Sequence, residues 1–386
     1  MATDKTLFYL SAILISIGII FSLSLSVFTV LYYGFDEYHF FIRQLSIGLL
    51  SILLMWLISL LNPDKAMPTI GFLIFFLFLI AMGGMHYLPS SMITESGGAR
   101  RWIRLPGFSL APVEFFKIGF VYFLAWSFNR KLDDSKKTLT DELKLLLPYI
   151  GVFILVVYLV AVMQNDLGQV VVLALTLAVM AFCAGTSFRF FALGIFGTIV
   201  VGVIVIIRSE NRILRIKTWW AGVQDMVLDF FPKSVGDALR VNDVSEPDQM
   251  INSLSAIKHG GFFGEGLGQG SFKLGFLSDI HTDFVLSGIS EEVGAIGVAV
   301  LTFLIWLVIY RIFRIAGRST NNVYYLFSLG IGLLISFSFL MNAYGITSLT
   351  PIKGIAVPFL SYGGSSLLSL CIGIGMVLMV SKRLKH

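Results

Sequence analysis

Apolar runs of roughly 17 to 25 residues, the length that crosses a bilayer as a helix, recur from one end of this chain to the other. Ten are predicted as spans, at residues 8–32, 42–61, 69–86, 113–128, 146–163, 167–184, 190–208, 285–310, 323–343 and 363–381. The polar connections are short except for residues 209–284. The expected fold class is therefore all-α: a polytopic integral membrane protein of about ten transmembrane helices, with a large extracytoplasmic loop between helices seven and eight. Residues 1–386 form one expected membrane domain, because no polar stretch is long enough for a core of its own. The first run is too long for a signal-peptide core and lacks a small-residue cleavage site after it, so it is predicted to stay as an anchor.

Composition agrees. Of 386 residues, 56% are hydrophobic and only 13% charged, and the mean hydropathy is +0.87, far from a soluble domain. The net charge of +5 does not point to nucleic acid, because the basic residues sort by loop. Lys5, Lys65, Arg130, Lys131, Lys136, Lys137, Lys144, Arg189, Arg311, Arg314, Arg318, Lys382, Arg383 and Lys385 fall on one side of the predicted spans. Arg43, Arg100, Arg101, Arg104 and Lys353 fall on the short loops of the other. The positive-inside rule then puts both termini in the cytoplasm and the long loop outside. The two cysteines, Cys183 and Cys371, lie inside apolar runs and read as packing residues, not as a disulfide or thiolate metal site.

The candidate chemistry lies at the outer ends of the spans. Gly264-Glu-Gly-Leu-Gly-Gln-Gly270, His281-Thr-Asp-Phe284 and Glu291-Glu292 bring ionisable groups to the start of an apolar run, where charge is expensive and usually kept for function. Asp283 is the leading catalytic candidate. The glycine run has no strand-turn-helix context and is no nucleotide motif; it would let the loop fold tightly against a ligand or the membrane. His281 reads as a hydrogen-bonding neighbour, with base or metal ligand as the alternative. Glu114 and Lys117, three apart, share a helix face. They either neutralise each other or border a wet cavity, in which case Lys117 would also orient Asp283. Arg100, Arg101 and Arg104 around Trp102 suit phosphate groups or an interfacial anchor. Arg212 and Arg215 begin a stretch, to Phe231, that suits a helix in the headgroup layer, as an aromatic anchor or a lipid-headgroup contact. Residues 237–249 read as a flexible excursion. Asp166 reads as a helix N-cap, and Pro358-Phe-Leu-Ser-Tyr-Gly-Gly-Ser-Ser366 could turn Ser361 and Tyr362 to a cavity.

Together these segments resemble the shape, elongation, division and sporulation (SEDS) family, the FtsW and RodA type. Five motifs carry the resemblance in order: Gly98-Ala-Arg-Arg-Trp-Ile103 with Glu114 and Lys117, Asp166-Leu-Gly168, Gly264 to Gly270, His281 to Phe284 with Glu291-Glu292, and Pro358 to Ser366. The resemblance implies a peptidoglycan glycosyltransferase that polymerises lipid II, the undecaprenyl-pyrophosphate disaccharide-pentapeptide, on the outer face of the bacterial inner membrane. It places the essential aspartate on Asp283, the buried pair on Glu114 and Lys117, and the Arg-x-x-Arg motif on Arg212 and Arg215. Thr350-Pro-Ile-Lys-Gly354, with Lys353 as a further substrate-binding candidate, is closer to the division-type motif than to the elongation type, which implies septal synthesis. The implied partners are a class B penicillin-binding protein transpeptidase and other division proteins. A divalent cation, Mg²⁺ or Mn²⁺, is suggested by pyrophosphate chemistry and by the family, with no protein metal ligands. Asn165 and Ser278 replace prolines usual in the family, and Lys258-His259 stands where small residues are common.

The expected chemistry is an inverting transfer needing one base and no covalent intermediate. Asp283 would take the proton of the acceptor 4-hydroxyl, with Lys117 keeping it ionised, while Arg100, Arg101, Arg212 and Arg215, with His281, Ser361 and Lys353, hold the substrate. The alternatives are a lipid II flippase, an elongation-type polymerase or a scaffold that only recruits septal proteins.

Overall fold

The structure, a computed structural model, describes residues 3–96, 99–105, 108–131, 139–241 and 248–384. Gly98, Lys136, Lys137, Lys385 and the middle of the expected 237–249 excursion lie outside them. In chain order the elements are α1 (Lys5–Leu25), α2 (Val27–Tyr33), α3 (His39–Leu60), α4 (Pro63–Gly84), β1 (Ile93–Ser96), β2 (Ala99–Leu105), β3 (Phe108–Leu110), α5 (Pro112–Lys131), α6 (Leu139–Val157, continued by a π-helical turn Tyr158–Met163), α7 (Leu167–Cys183), α8 (Phe188–Ile207), α9 (Glu210–Leu228), α10 (Lys233–Leu239), α11 (Asp248–Gly260), α12 (Val285–Arg318), α13 (Asn322–Ile346) and α14 (Gly364–Ser381).

Each of the ten predicted runs falls on a helix, and the protein is a multi-pass membrane protein. Among the described residues α1, α3, α4, α12, α13 and α14 are individually long and apolar enough to cross a bilayer, with a seventh span if bent α8 and α9 are taken together. The other predicted runs lie on helices that are shorter or, like α5 with Glu114 and Lys117, more polar. The bend between α8 and α9 is 106°, so α9 leaves the axis of α8.

One feature was not foreseen. β1, β2 and β3 form a three-stranded antiparallel sheet in the order β1-β2-β3, with Ile103 opposite both Ile93 and Leu110. The reason is local: Ala99 and Ile103 are buried while Arg100 and Arg104 point out, the period-two pattern of a strand with one covered face.

The bundle packs through close helix approaches. Gly119 of α5 lies on the α4 backbone, where a Cβ would come within 2.4 Å of the Phe75 amide nitrogen; small residues at such crossings allow backbones to meet. The start of α1 and the end of α14 meet at one end of the bundle, where the Asp4 amide donates to Ser381 Oγ at 3.0 Å and Asp4 pairs with Arg311 at 2.6 Å. At the same end Asp64 takes Arg383 and the Tyr324 hydroxyl. This end is stapled by charge.

At the opposite end α12 is interrupted at Gly294, whose φ and ψ are 68° and −176°. The glycine run fills the break. Glu265 and Gly266 amides donate to the Glu291 and Glu292 carbonyls at 2.9 Å each, and Ala295 and Ile296 amides donate to Gly261 and Phe262 carbonyls at 2.9 and 3.2 Å. The groups orphaned by the helix break are thus satisfied by the loop. Gly264 and Gly270 pack against this helix, which replaces the expected role of closing on a ligand or the membrane. Glu291 is buried and accepts from the Ser271 amide at 2.7 Å and from His259 at 3.1 Å. Glu292, also buried, pairs with Lys273 at 2.7 Å and accepts from Ser24. These carboxylates are structural.

Candidate active site

Asp283 stands just before α12 on a segment pinned by apolar anchors. Leu277, Ile280 and Phe284 are at most 2% exposed, which leaves Asp283 partly exposed at the edge of the bundle. Three clamps fix its backbone. Asn342 Nδ2 in α13 donates to the Asp283 carbonyl at 2.7 Å and to the Ile355 carbonyl at 2.8 Å. Ser361 Oγ donates to the Thr282 carbonyl at 2.7 Å, and the Tyr362 amide donates to the His281 carbonyl at 2.9 Å. Ser361 is thereby a positioning group.

No described residue donates a hydrogen bond to the Asp283 carboxylate. The cation that acts on it is Arg101 on β2: a Cβ on Gly354 would lie 2.9 Å from Asp283 Oδ2 and 3.3 Å from Arg101 Nη1. Arg101 also pairs with Asp166 at 3.1 Å and donates to the Asn165 carbonyl at 3.1 Å. Burial pushes the Asp283 carboxyl up to about 7, with Asp279 and Asp166 adding to the rise and Arg101 opposing it. Burial and Asp279 supply what a general base near neutrality needs. Asp279 and Asp166 are themselves raised by burial.

Lys117 is placed differently from the expectation. Its Nζ contacts Glu114 at 2.9 Å and donates to Gln169 Oε1 at 2.9 Å, and Gln169 Nε2 donates back to Glu114 at 2.8 Å. This closed triad occupies the lysine, and the cation facing Asp283 is Arg101. The triad lines a cavity of about 50 Å³ with Ser338, Ser361, Ser366 and the buried non-helical stretch 355–359. Such volume holds a few waters, and irregular backbone at membrane depth is tolerated only where protein or a cavity surrounds it. Glu114 and Lys117 therefore both neutralise each other and border a polar cavity.

Asp166 caps α7, its Oδ1 accepting from the Gln169 amide at 3.3 Å, as expected, and is also part of the site. Lys353 is partly buried beside the start of α7; burial lowers its proton affinity and the charge of Asp166 raises it. No described carboxylate lies within ion-pair distance of its amine. Arg100 is exposed on the outer face of β2, and Arg215 is exposed on α9. Arg212 is tied to protein: it donates to the Val205 and Ala161 carbonyls at 2.9 and 2.6 Å and to Asn165 Oδ1 at 2.7 Å. His281 is buried between Phe40 and Tyr362, and burial lowers it to about 4. It stays neutral and sits as a packed neighbour of Asp283.

Asn342, Gln169, Asn165 and Asp279 were not singled out as site residues from the sequence. Asn342 carried a usable signal, a polar amide in the middle of an apolar run. Among the described residues no three His, Cys, Asp or Glu side chains converge as a metal-ligand set.

Comparison with known proteins identifies close relatives. The chain matches the family FtsW/RodA/SpoVE, described as cell cycle protein, over residues 4–386. It is 46% identical to the probable peptidoglycan glycosyltransferase FtsW of Helicobacter pylori strain ATCC 700392 / 26695, over 100% of both chains. It is 38% identical to the protein of the same description from Trichlorobacter lovleyi over 75% of this chain and 70% of that one. Among solved structures, the Thermus thermophilus rod shape determining protein RodA superposes with a TM-score of 0.65 at 22% identity, over 100% of this chain and 99% of that one. A chain from a peptidoglycan synthase complex that coordinates polymerization and crosslinking gives 0.72 at 22% identity, over 99% and 98%. These two likenesses establish the shared fold.

Proposed function

The chain belongs to the FtsW/RodA/SpoVE family of cell-cycle proteins, and from that premise we propose that it is a peptidoglycan glycosyltransferase that polymerises lipid II, with Asp283 as the base. The observation that carries the reading is the Asp283 carboxylate: partly exposed, with no hydrogen-bond donor among the described residues, and set beside Arg101 at Gly354.

The step balances on one base. The acceptor 4-hydroxyl oxygen attacks the anomeric carbon of the donor, its proton passes to Asp283, and the bond to the undecaprenyl pyrophosphate breaks on the opposite face with inversion. The partly buried Lys353 amine, with exposed Arg215 and Arg100, supplies positive charge for the leaving pyrophosphate. Arg101 steadies the carboxylate until it takes the proton. Among the described residues no side chains converge as a metal-ligand set, so the Mg²⁺ or Mn²⁺ suggested by the chemistry would travel on the pyrophosphate.

Septal synthesis is the favoured role, supported by FtsW relatives over the full length and by Lys353. A class B penicillin-binding protein is the proposed partner, supported by the likeness to a chain of a peptidoglycan synthase complex; other division proteins would complete the assembly. The site end faces out and the termini lie in the cytoplasm, as the basic residues sort. A flippase needs polar groups along the whole path. Here the site charges gather at one end, and at the other Asp4–Arg311 and Asp64–Arg383 staple the helices.

The test is polymerisation of labelled lipid II by the purified protein with its transpeptidase, wild type against Asp283→Asn, with Mg²⁺ or with chelator. Strands from wild type alone are expected. Wild-type polymerisation by a folded Asp283→Asn protein would sink the base, and no strands from either would favour transport.

A further inference from the structure

Arg212 has little left to offer a substrate. Its guanidinium serves two carbonyls and one side chain, and one of those carbonyls, Ala161, belongs to the π-helical end of α6. The third partner, Asn165, is unusual. Its φ is 55°, the left-handed region that asparagine tolerates better than most residues. Its side chain takes Arg212 from α9 while its carbonyl takes Arg101 Nη2 at 3.1 Å. One residue therefore connects the first helix of the large outer loop to the cation facing Asp283.

We propose that Arg212 and Asn165 are positioning residues that carry the docking of α9 to Arg101, and through Arg101 set the charge environment of Asp283. The inference rests on the reading of Asp283 as the base. Asp283 is faced by Arg101 from β2, by Asp166 from the turn before α7 and by Asp279 from its own loop, while Lys353 acts on Asp166. Arg101 is shared between Asp166 and Asp283. Without the Arg212–Asn165 hydrogen bond the Asn165 carbonyl shifts away from the Nη2 edge, and the guanidinium turns to Asp166. Asp283 then keeps its two negative neighbours and loses its positive one, so it holds its proton more tightly. A merely structural cap on α6 would lower yield or rate and leave this balance unchanged.

The experiment uses the full-length protein with its transpeptidase and labelled lipid II, reading initial rates from about pH 5 to pH 9 for wild type, Arg212→Ala, Asn165→Gly and the double variant. Glycine keeps the left-handed backbone, so Asn165→Gly removes the tether without straining the turn. The acid limb is expected to move to higher pH by about 0.5 to 1 unit in each single variant, and no further in the double, because the two side chains act in series. Slower variants with the limb in place, or single shifts that add in the double, would overturn the relay. Asp283→Asn belongs in the same series: if it is inactive and the limbs are unmoved, only the relay fails, and if it polymerises at the wild-type rate, the base and the relay fail together.

Discussion

Arg101 and Asp283 meet over a residue without a side chain: a methyl group on Gly354 would stand 2.9 Å from the carboxylate and 3.3 Å from the guanidinium. The backbone of Gly354 has no positive φ, so alanine fits the main chain, and the nearest atoms its methyl meets belong to the two charged groups. Gly354→Ala is expected to reduce polymerisation on the order of 10²-fold, the scale of a 1 Å misplacement of reacting groups. Membrane yield and thermal midpoint should stay near wild type. A wild-type rate would show that the space over Gly354 is not used.

The pH dependence follows from Asp283. A base works only when ionised, so kcat/KM should rise through pH of about 7, with Asp279 and Asp166 setting how high the limb lies. Stability runs the other way. The folded pKa lies above the ordinary value of 3.8, so the fold favours the protonated group, a contribution that is full below about pH 4 and lost as pH rises through about 7. Asp283→Asn should therefore be inactive yet more stable than wild type above pH 7, on the order of 1–2 kcal/mol, with the difference gone at pH 4. Equal thermal midpoints at pH 8 would contradict the burial of this carboxylate.

Lys117 should fail for a different reason. Its amine is held by Glu114 and Gln169, so Lys117→Met strands a partly buried carboxylate, a change worth about 3 kcal/mol or more when one partner of a buried pair is removed. Glu114→Gln with Lys117→Met removes both charges and should recover most of the lost stability. Neither variant is expected to move the acid limb of the pH profile, because the lysine does not face Asp283. Movement of that limb in the double variant would restore Lys117 as the group that tunes the base.

Periodicity and cost located most of the site. A charge at the end of an apolar run is costly enough to stand out, and so Asp283, Glu114, Lys117 and Asp166 were legible as residues worth explaining. Their pairing was not. Which cation faces Asp283 depends on how β2 folds over the α13–α14 connection, and the strand itself was hidden because Ala99 to Leu105 is short and arginine-rich. Arg212 read as a phosphate ligand because a sequence shows the charge of a guanidinium but not the three acceptors that occupy it. The glycine run read as a ligand loop for the same reason, since its partner, the interruption of α12, lies 24 to 30 residues further on and carries only one glycine as its mark.

That interruption gives the last prediction. Gly294 has a conformation, φ 68° and ψ −176°, that is essentially restricted to glycine, and a Cβ there would fall 2.4 Å from the Gly264 nitrogen and the Phe262 carbonyl oxygen. Both obstacles are backbone and cannot rotate away. Gly294→Ala must therefore break the four hydrogen bonds that seat the loop in the helix break, and with them the cage around the buried Glu291 carboxylate. A loss of at least about 3 kcal/mol is expected, seen as a lower thermal midpoint in detergent. Polymerisation should fall too, because the loop continues directly into Asp283. Gly317 lies on the same helix with nothing near its Cβ position, and Gly317→Ala should change stability by no more than about 0.5 to 1 kcal/mol, in the stabilising direction. If the two variants melt together, the break in α12 is not held by the loop, and the segment carrying Asp283 must be anchored by Asn342, Ser361 and Tyr362 together with its apolar side chains Leu277, Ile280 and Phe284.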